Sequence, residues 1–299
     1  MSLKVNICGI EFDNPVIAAS GTFGFGKEFA DYIDINKLGG ISSKGLTLHK
    51  NLGNKGIRIY ETAAGIMNSI GLQNPGIEYF IKEELPFLET KDAVTIANLG
   101  GHSVDEYVKG AILLDKTSVP IIELNISCPN VKEGGMAFGT NPKKACEVIE
   151  KVRKATKKVL MVKLSPNVGD IKEFVKIAEN SGADCISLVN TFNALAIDVD
   201  NKKAVFENKT AGLSGPCIKP IALRMVYEAS NATNLPIIGM GGISNYRDCL
   251  EFIMAGASAV QVGTSNFVDF NTMINIVDDL EKYMQRENLN SLEEIRKII

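Results

Sequence analysis

"IIGMGGISNYRDCLEFIMAGASAVQVGT", residues 237–264, contains a complete strand, helix and second strand, and it decides the fold class. The apolar run 237–240 has the length of a buried strand. The segment 245–256 has helical periodicity and ends at Gly256, a residue that suits the left-handed end of a helix. A second apolar run at 259–262 follows at once. Because parallel strands need a crossover connection, this order predicts two parallel strands joined by a helix.

The same alternation extends along the whole chain. Short apolar runs rich in valine and isoleucine predict eight strands, at 16–18, 40–43, 94–97, 121–126, 159–163, 185–189, 237–240 and 259–262. Segments with helical periodicity lie between them, at 77–89, 103–116, 141–156, 170–182, 218–230 and 245–256. Eight such units in 299 residues favour an α/β fold, a closed (β/α)8 TIM barrel, over an open sheet.

Three further features complete the predicted architecture. The opening segment LKVNICGIEFDNP, residues 3–15, alternates around Gly9 and predicts an N-terminal hairpin that plugs the barrel. The connections 44–77 and 190–216 are too long to be turns, and both would lie at the C-terminal face of the barrel. Because no linker or repeat divides the chain, residues 1–299 are expected to form a single domain.

Composition and charge exclude several classes of protein. The chain has 32 basic and 35 acidic residues and a formal net charge of −3, without a block of either sign, so we expect no nucleic-acid partner. The sequence has no signal-like apolar segment and no membrane-spanning run, which predicts a cytoplasmic protein without a membrane partner. Six cysteines without a C-x-x-C pair, and only two histidines, predict no metal site and no iron–sulfur cluster on this chain.

Polar residues and glycines follow nearly every predicted strand, so a barrel would bring them to one mouth. These residues are Ser20, Lys44, Gly45, Asn98, Asn125, Lys163, Asn190, Thr191, Gly241, Gly242, Gly263 and Thr264. The glycines after the seventh and eighth strands would present backbone N–H groups at helix starts, where barrels hold phosphate. We therefore expect a ligand that carries a phosphate.

Two lysines at the mouth call for an anionic partner, since an unpaired buried ammonium is costly. A fixed cation beside a reduced flavin would stabilise its negative charge, so Lys44 and Lys163 suit a flavin. Two alternatives remain open from the residues alone. Either lysine could lie on the barrel exterior, or Lys163 could form a Schiff base, as in barrel aldolases.

The asparagines at 68, 98, 125 and 190 and the thiol of Cys128 are the remaining candidates for the site. An amide offers a donor and an acceptor together, which matches the N–H and C=O edge of a pyrimidine or an isoalloxazine. Cys128 stands where the fourth predicted strand opens into a glycine-containing loop. A thiol there can serve as a general base if its neighbours tune it.

Several of these motifs together resemble those of one known family. They are SSKGLT (42–47), NSIGLQNPG (68–76), ELNISCPNVKEGGMAFGT (123–140), VKLSPNV (162–168), GLSGPCIKPIALRMVYE (212–228) and the opening stretch 237–264. The sequence from residue 7 to about residue 267 is similar to the catalytic subunit of class 1 dihydroorotate dehydrogenase, subtype B. The run Val131 to Gly135 after the Ser-Cys-Pro-Asn motif distinguishes the chain from subtype A, in which a Pro-Gly-Lys-Pro segment follows.

The resemblance implies an FMN-dependent oxidation of (S)-dihydroorotate to orotate in de novo pyrimidine (UMP) biosynthesis. It implies that Cys128 removes the C5 proton while hydride passes from C6 to FMN N5. The FMN-binding residues it implies are Ser20, Lys44, Gly45, Asn98, Asn125, Lys163, Val189, Gly215, Gly241, Gly242, Gly263 and Thr264. The substrate-binding residues it implies are Lys44, Asn68, Ser69, Ile70, Gly71, Leu72, Asn125, Asn190 and Thr191.

The resemblance also implies partners. Subtype B enzymes are complexes in which a second subunit, carrying FAD and a [2Fe-2S] cluster, relays electrons to NAD. We therefore expect one FMN per chain and a homodimer of this chain within a heterotetramer. The sequence departs from the family after Thr191, where 192–196 replaces an expected Gly-Met pair, so the contacts of this stretch with substrate are left open.

Three other functions fit parts of the pattern. A dihydropyrimidine dehydrogenase has a similar cysteine loop but acts on uracil or thymine, which lack a carboxylate. A Schiff-base aldolase would use Lys163. A metabolite sensor on a barrel scaffold would bind its ligand without turnover.

Overall fold

A closed barrel of eight parallel strands forms the centre of the molecule, as predicted. The computed structural model describes residues 2–127 and 138–299. The barrel strands are β1 (Val16–Ala18), β2 (Gly40–Ser42), β3 (Val94–Leu99), β4 (Ile121–Asn125), β5 (Val159–Lys163), β6 (Cys185–Leu188), β7 (Ile237–Met240) and β8 (Ala259–Val262). β8 pairs with β1 and closes the ring. Almost every strand residue is buried, as expected of parallel strands covered on both faces.

Helices surround this barrel and follow its strands. The longer ones are α1 (Val104–Asp115), α2 (Pro142–Ala155), α3 (Ile171–Asn180), α4 (Lys219–Ala232), α5 (Tyr246–Met254) and α6 (Thr272–Glu287). Four of them are capped at the N-terminus by a side chain that accepts a hydrogen bond from a backbone N–H of the first turn. The capping residues are Ser103, Asn141, Asp170 and Asn245. The last helix, α6, was not among the helices assigned from sequence.

Shorter helical pieces fill the other connections. The segment predicted as one helix at 77–89 is a run of three, α-helical at Ile77–Tyr79, π-helical at Phe80–Glu84 and α-helical at Leu85–Leu88. Pro86 lies in this run and lacks an N–H, which removes one helical hydrogen bond. The 3-10 turns are Lys27–Phe29, Ile35–Lys37, Pro216–Ile218, Thr264–Phe267 and Leu292–Ile295.

The predicted N-terminal hairpin is present. Strands Val5–Ile7 and Ile10–Phe12 pair in antiparallel fashion. Their buried residues Ile7 and Phe12 pack against the side chains that fill the lower barrel, among them Ile17, Ile96 and Ile238. The hairpin therefore covers the N-terminal end of the barrel with apolar surface.

The two long connections form one antiparallel sheet above the barrel, which the sequence analysis did not foresee. The strands of this mouth sheet stand in the order Phe192–Leu195, Thr210–Ser214, Gly65–Asn68 and Ile59–Thr62. Ile197–Asp198 pairs with Lys203–Ala204 as a small additional ribbon. Because Gly212 lies opposite both Asn68 and Asn193, the mouth sheet brings the segment 68–72 close to Asn190 and Thr191.

In the part of the chain that the structure describes, no helix is both long enough and apolar enough to cross a bilayer. The assignment of residues 1–299 to a single domain stays a prediction.

The hairpin plug gives a first test of this packing. Replacing the fully buried Phe12 with Ala should lower the free energy of unfolding by about 3–5 kcal/mol, because it leaves a cavity at the base of the barrel. Urea denaturation of the purified protein measures the change. As a control, Glu11→Ala in the same strand should cost less than ~1 kcal/mol, since Glu11 forms only an exposed ion pair with Lys4. Equal losses in both variants would contradict the plug.

Candidate active site

A cavity of about 400 Å³ opens at the C-terminal end of the barrel, between the strand ends and the mouth sheet. Its wall contains almost all the residues that the sequence analysis assigned to a cofactor or a substrate. They are Ser20, Lys44, Gly45, Asn68, Ile70, Gly71, Leu72, Asn125, Lys163, Val189, Asn190, Thr191, Gly215, Gly241, Gly242, Gly263 and Thr264. The structure thus brings together residues from seven barrel strands or the loops after them and from both long connections. Cys128 lies outside the described residues.

Two predicted residues, Asn98 and Ser69, do not line the cavity. Asn98 is fully buried; its Nδ2 donates to Glu123 Oε2 at 2.6 Å, and its Oδ1 accepts from Asn125 Nδ2 at 3.2 Å. The Ser69 hydroxyl accepts hydrogen bonds from Asn54 at 3.0 Å and Asn208 at 3.3 Å. Both residues therefore support neighbours that do reach the cavity.

Strand alternation explains which side chains reach this site. Inward-facing residues of a (β/α)8 barrel form layers of four, each contributed by alternate strands. The even-numbered strands contribute one buried layer, which we call the polar layer: Ser42, Glu123, Ser187 and Gln261. Two positions further along β4, Asn125 faces the same way and lines the cavity. The polar layer is therefore the floor beneath the site.

Glu123 holds the polar layer together. Its Oε2 accepts hydrogen bonds from Ser42 at 2.7 Å and from Asn98. Its Oε1 accepts hydrogen bonds from Ser187 at 2.7 Å and from Gln261 at 2.8 Å. Burial alone would raise the pKa of the Glu123 carboxyl. The Lys163 ammonium and the hydrogen bonds from Ser42, Ser187 and Asn98 outweigh burial and hold the pKa below its usual value, so the carboxylate is ionised.

Lys163 lies on β5, opposite Asn125 in the strand register, and its side chain belongs to the cavity wall. Only 4% of its surface is exposed. Neither Lys163 nor Lys44 forms an ion pair within residues 2–127 and 138–299. The exterior placement considered for Lys163 is thus wrong. The Glu123 carboxylate is the counter-charge of Lys163, so the positive charge left for an anionic ligand in this cavity is that of the partly buried Lys44.

Glycines form another part of the cavity wall, where the backbone approaches itself closely. Gly215, Gly241 and Gly242 have φ values of 104°, 132° and 76°. A Cβ on Gly241 would lie 2.6 Å from Ala222 Cβ, and one on Gly242 would lie 2.8 Å from the carbonyl oxygen of Gly215. These positions require glycine, and they leave backbone polar groups accessible to a ligand.

Gln261 and Glu123 are site residues that the sequence analysis missed. Gln261 lines the cavity, but its buried Oε1 has no hydrogen-bond partner in the described part of the chain. An acceptor of this kind matches a ligand that brings an N–H group. The sequence did carry a signal for each residue, because a polar side chain interrupts the apolar strands IIELN (121–125) and AVQV (259–262).

The polar groups of the cavity can be compared with those of a flavin nucleotide. A flavin ring offers carbonyl oxygens and an N–H along one edge, it gains negative charge on reduction, and its chain ends in phosphate. The cavity offers the ammonium groups of Lys44 and Lys163, the Gln261 Oε1 acceptor that has no partner in the described residues, and the glycine wall. These residues fit such a group.

Comparison with known proteins places these features in a family context. The family model described as "Dihydroorotate dehydrogenase" matches residues 2–284. The catalytic subunit of dihydroorotate dehydrogenase B (NAD(+)) from Petrotoga mobilis is 62% identical over 296 residues, which cover 99% of each chain. Its counterpart from Thermoanaerobacter pseudethanolicus is 52% identical over 299 residues, covering 100% of this chain and 98% of the relative. The one from Bacteroides thetaiotaomicron is 49% identical over 294 residues, covering 98% and 97%.

The buried carboxylate should make stability depend on pH in a defined direction. The folded pKa of Glu123 lies below the unfolded value of ~4.3, so its contribution is present above ~4.3 and is lost as pH falls through the folded pKa. Glu123→Gln should therefore lower the free energy of unfolding by about 3 kcal/mol at pH 7, because it leaves Lys163 without a counter-charge. The difference between variant and wild type should shrink below pH ~4.

Urea denaturation at a series of pH values measures this effect. Glu173→Gln is the matched control, because Glu173 is exposed on α3 and its change should be within ~0.5 kcal/mol at every pH. A Glu123→Gln deficit that stays constant down to pH 3 would show that the carboxylate is not the source.

Proposed function

The chain belongs to the dihydroorotate dehydrogenase family, and from this premise we propose that it is the catalytic subunit of a type B, NAD-linked enzyme. It oxidises (S)-dihydroorotate to orotate in pyrimidine biosynthesis. The observation that carries the proposal is the cavity at the barrel mouth, where buried Lys163, the amides and the glycine wall meet. The oxidoreductase class follows from the family.

Members of this family are flavin-dependent, and the cofactor proposed here is FMN, one per chain. Lys163 and Gln261 would face its ring, together with Ser20, Lys44, Gly45, Asn125 and Val189 on the same wall. Gly241, Gly242, Gly263 and Thr264 would hold the phosphate, and Gly215 would contribute to the same FMN site. Asn98 would not contact FMN directly; it lies beneath the cavity wall and is hydrogen-bonded to Asn125 and Glu123. Bound FMN supplies hydride acceptance at its N5 atom, for the hydride that leaves C6 of the substrate.

The substrate would lie between the ring and the mouth sheet. Lys44 offers a cation to its carboxylate, and Asn68 and the backbone of 70–72 form the wall beside it. Asn125, Asn190 and Thr191 complete the pocket. Ser69 would not contact the substrate itself; its hydroxyl supports this wall through hydrogen bonds with Asn54 and Asn208.

The proton from C5 is assigned to Cys128, by its place in the Ser-Cys-Pro-Asn motif. Ser127, the residue before it, is buried and hydrogen-bonded to both Asn125 and Asn190. The chain therefore enters the cysteine segment directly from the substrate pocket. As a thiolate, Cys128 would accept the C5 proton on Sγ and become the neutral thiol as the hydride leaves C6.

Electrons must then leave the flavin for NAD. The relatives from Petrotoga mobilis and Thermoanaerobacter pseudethanolicus are named catalytic subunits, which implies a partner subunit. The partner proposed for this chain carries FAD and a [2Fe-2S] cluster, and the assembly is a heterotetramer around a homodimer of this chain. A cytoplasmic location is proposed as well. The family assignment favours this function over an aldolase, a sensor or a dihydropyrimidine dehydrogenase.

Substrate selectivity tests the proposed function. The purified chain should show the visible spectrum of an oxidised flavin, and anaerobic dihydroorotate should bleach it. Dihydrouracil, which lacks the carboxylate offered to Lys44, should reduce the flavin with a kcat/KM at least ~100-fold lower. Stopped-flow absorbance measures both rates. A colourless protein, or equal reduction by the two substrates, would overturn the proposal.

Cys128→Ala separates proton removal from binding. The variant should retain its flavin and bind orotate, but its flavin reduction by dihydroorotate should slow by about 10²- to 10⁴-fold, because the base is lost. Cys217→Ala is the control; this thiol is exposed in the 3-10 turn Pro216–Ile218, and its loss should leave the rate unchanged. Reduction of Cys128→Ala at wild-type speed would assign the base to another group.

A further inference from the structure

A chain of hydrogen bonds runs from the floor of the barrel to the substrate pocket, and every donor in it points the same way. Asn190 Nδ2 donates to Ser127 Oγ at 2.7 Å, and Ser127 Oγ donates to Asn125 Oδ1 at 2.8 Å. Asn125 Nδ2 then donates to Asn98 Oδ1 at 3.2 Å, and Asn98 Nδ2 donates to Glu123 Oε2 at 2.6 Å. We call this series the amide chain.

Glu123 sets the direction of the amide chain. An asparagine amide can present either its oxygen or its NH₂ group to a neighbour, so a row of amides alone has two possible directions. An ionised carboxylate accepts hydrogen bonds and donates none. Asn98 must therefore turn its NH₂ group toward Glu123 and its oxygen toward Asn125. That choice turns the NH₂ group of Asn125 toward Asn98.

The direction decides what Asn125 can offer a ligand. Its Oδ1 accepts from both the hydroxyl and the backbone N–H of Ser127, at 2.8 and 3.3 Å, so its acceptor capacity is used. One hydrogen of its NH₂ group goes to Asn98. Counting bonds among residues 2–127 and 138–299, the remaining capacity of Asn125 in the cavity wall is a single N–H donor.

We propose that Glu123 is a positioning residue that fixes Asn125 as an N–H donor toward the substrate, and thereby selects a ligand with an oxygen acceptor at that place. The inference rests on the proposed function, since it takes dihydroorotate and orotate as the ligands. Both carry ring carbonyl and carboxylate oxygens. With the amide chain reversed, Asn125 would turn its oxygen toward those acceptors, and the bond would be lost.

Glu123→Gln should change the orotate Kd in the direction opposite to the one expected from charge alone. Removing a buried negative charge near Lys163 should by charge alone tighten the binding of an anion such as orotate. In Glu123→Gln the new amide can donate to Asn98, so the amide chain can reverse and orotate should bind more weakly. The direction of the change in Kd therefore distinguishes the two effects.

The experiment is an orotate titration of the purified flavoprotein, followed by the change in flavin absorbance. Wild type tests the proposed function, because failure to bind orotate would sink that function itself. Glu123→Gln should raise the orotate Kd about tenfold or more, with a matching rise in KM for dihydroorotate and a smaller change in kcat for flavin reduction. Ser187→Ala is the control, because it removes one donor to Oε1 of the same carboxylate and leaves the amide chain intact.

A second variant keeps the test decisive if Glu123→Gln folds poorly. Asn98→Ala cuts the amide chain between Glu123 and Asn125 but keeps the carboxylate and its charge. Charge alone would leave orotate binding unchanged, whereas release of the Asn125 amide should raise the orotate Kd about fivefold or more. Unchanged or tighter binding by Glu123→Gln, an equal loss in Ser187→Ala, or unchanged binding by a folded Asn98→Ala variant would each overturn the proposal.

Discussion

One carboxylate at the centre of the barrel organises the functional end of the molecule. Glu123 is fully buried, and four neutral donors and the charge of Lys163 compensate it. A charge placed there without such partners would cost several kcal/mol. Three strands besides β4 must therefore contribute Ser42, Ser187 and Gln261 at one level. The polar layer follows from this requirement, and it separates the apolar lower barrel from the cavity above.

This division gives the site a rigid floor and a wall made from distant parts of the chain. Below Glu123, Ile121 lies in the apolar cluster shared with the hairpin; above it, Asn125 lines the cavity. Strand alternation alone produces this order, since the three residues are spaced by two. The mouth sheet adds the remaining wall by pairing residues 66–68 with 212–214. The barrel thus provides the charged and polar side chains beneath the cavity, and the mouth sheet encloses the cavity from above.

The parts of this architecture that depend on local sequence pattern could be predicted from the sequence. The eight strands, the hairpin and the residues after each strand are local signals, and the cavity contains nearly all of those residues. The mouth sheet was missed because its pairing joins segments ~145 residues apart, which no local periodicity encodes. The polar layer was missed for another reason: strands buried on both faces have no alternation to show that Glu123 points inward.

β4 and the residues after it link the polar layer to the residues proposed to act on the substrate. They carry the anchor Glu123, the cavity residue Asn125 and the link Ser127 in succession, and Cys128 is next in sequence. The Tyr107 hydroxyl donates to the carbonyl oxygen of Asn125 at 2.9 Å, which fixes the backbone just where the strand ends. Because hydrogen bonds hold both the side chain and the carbonyl of Asn125, the end of β4 has a defined position relative to the cavity floor. A change at Glu123 would therefore act on the substrate pocket through Asn98 and Asn125.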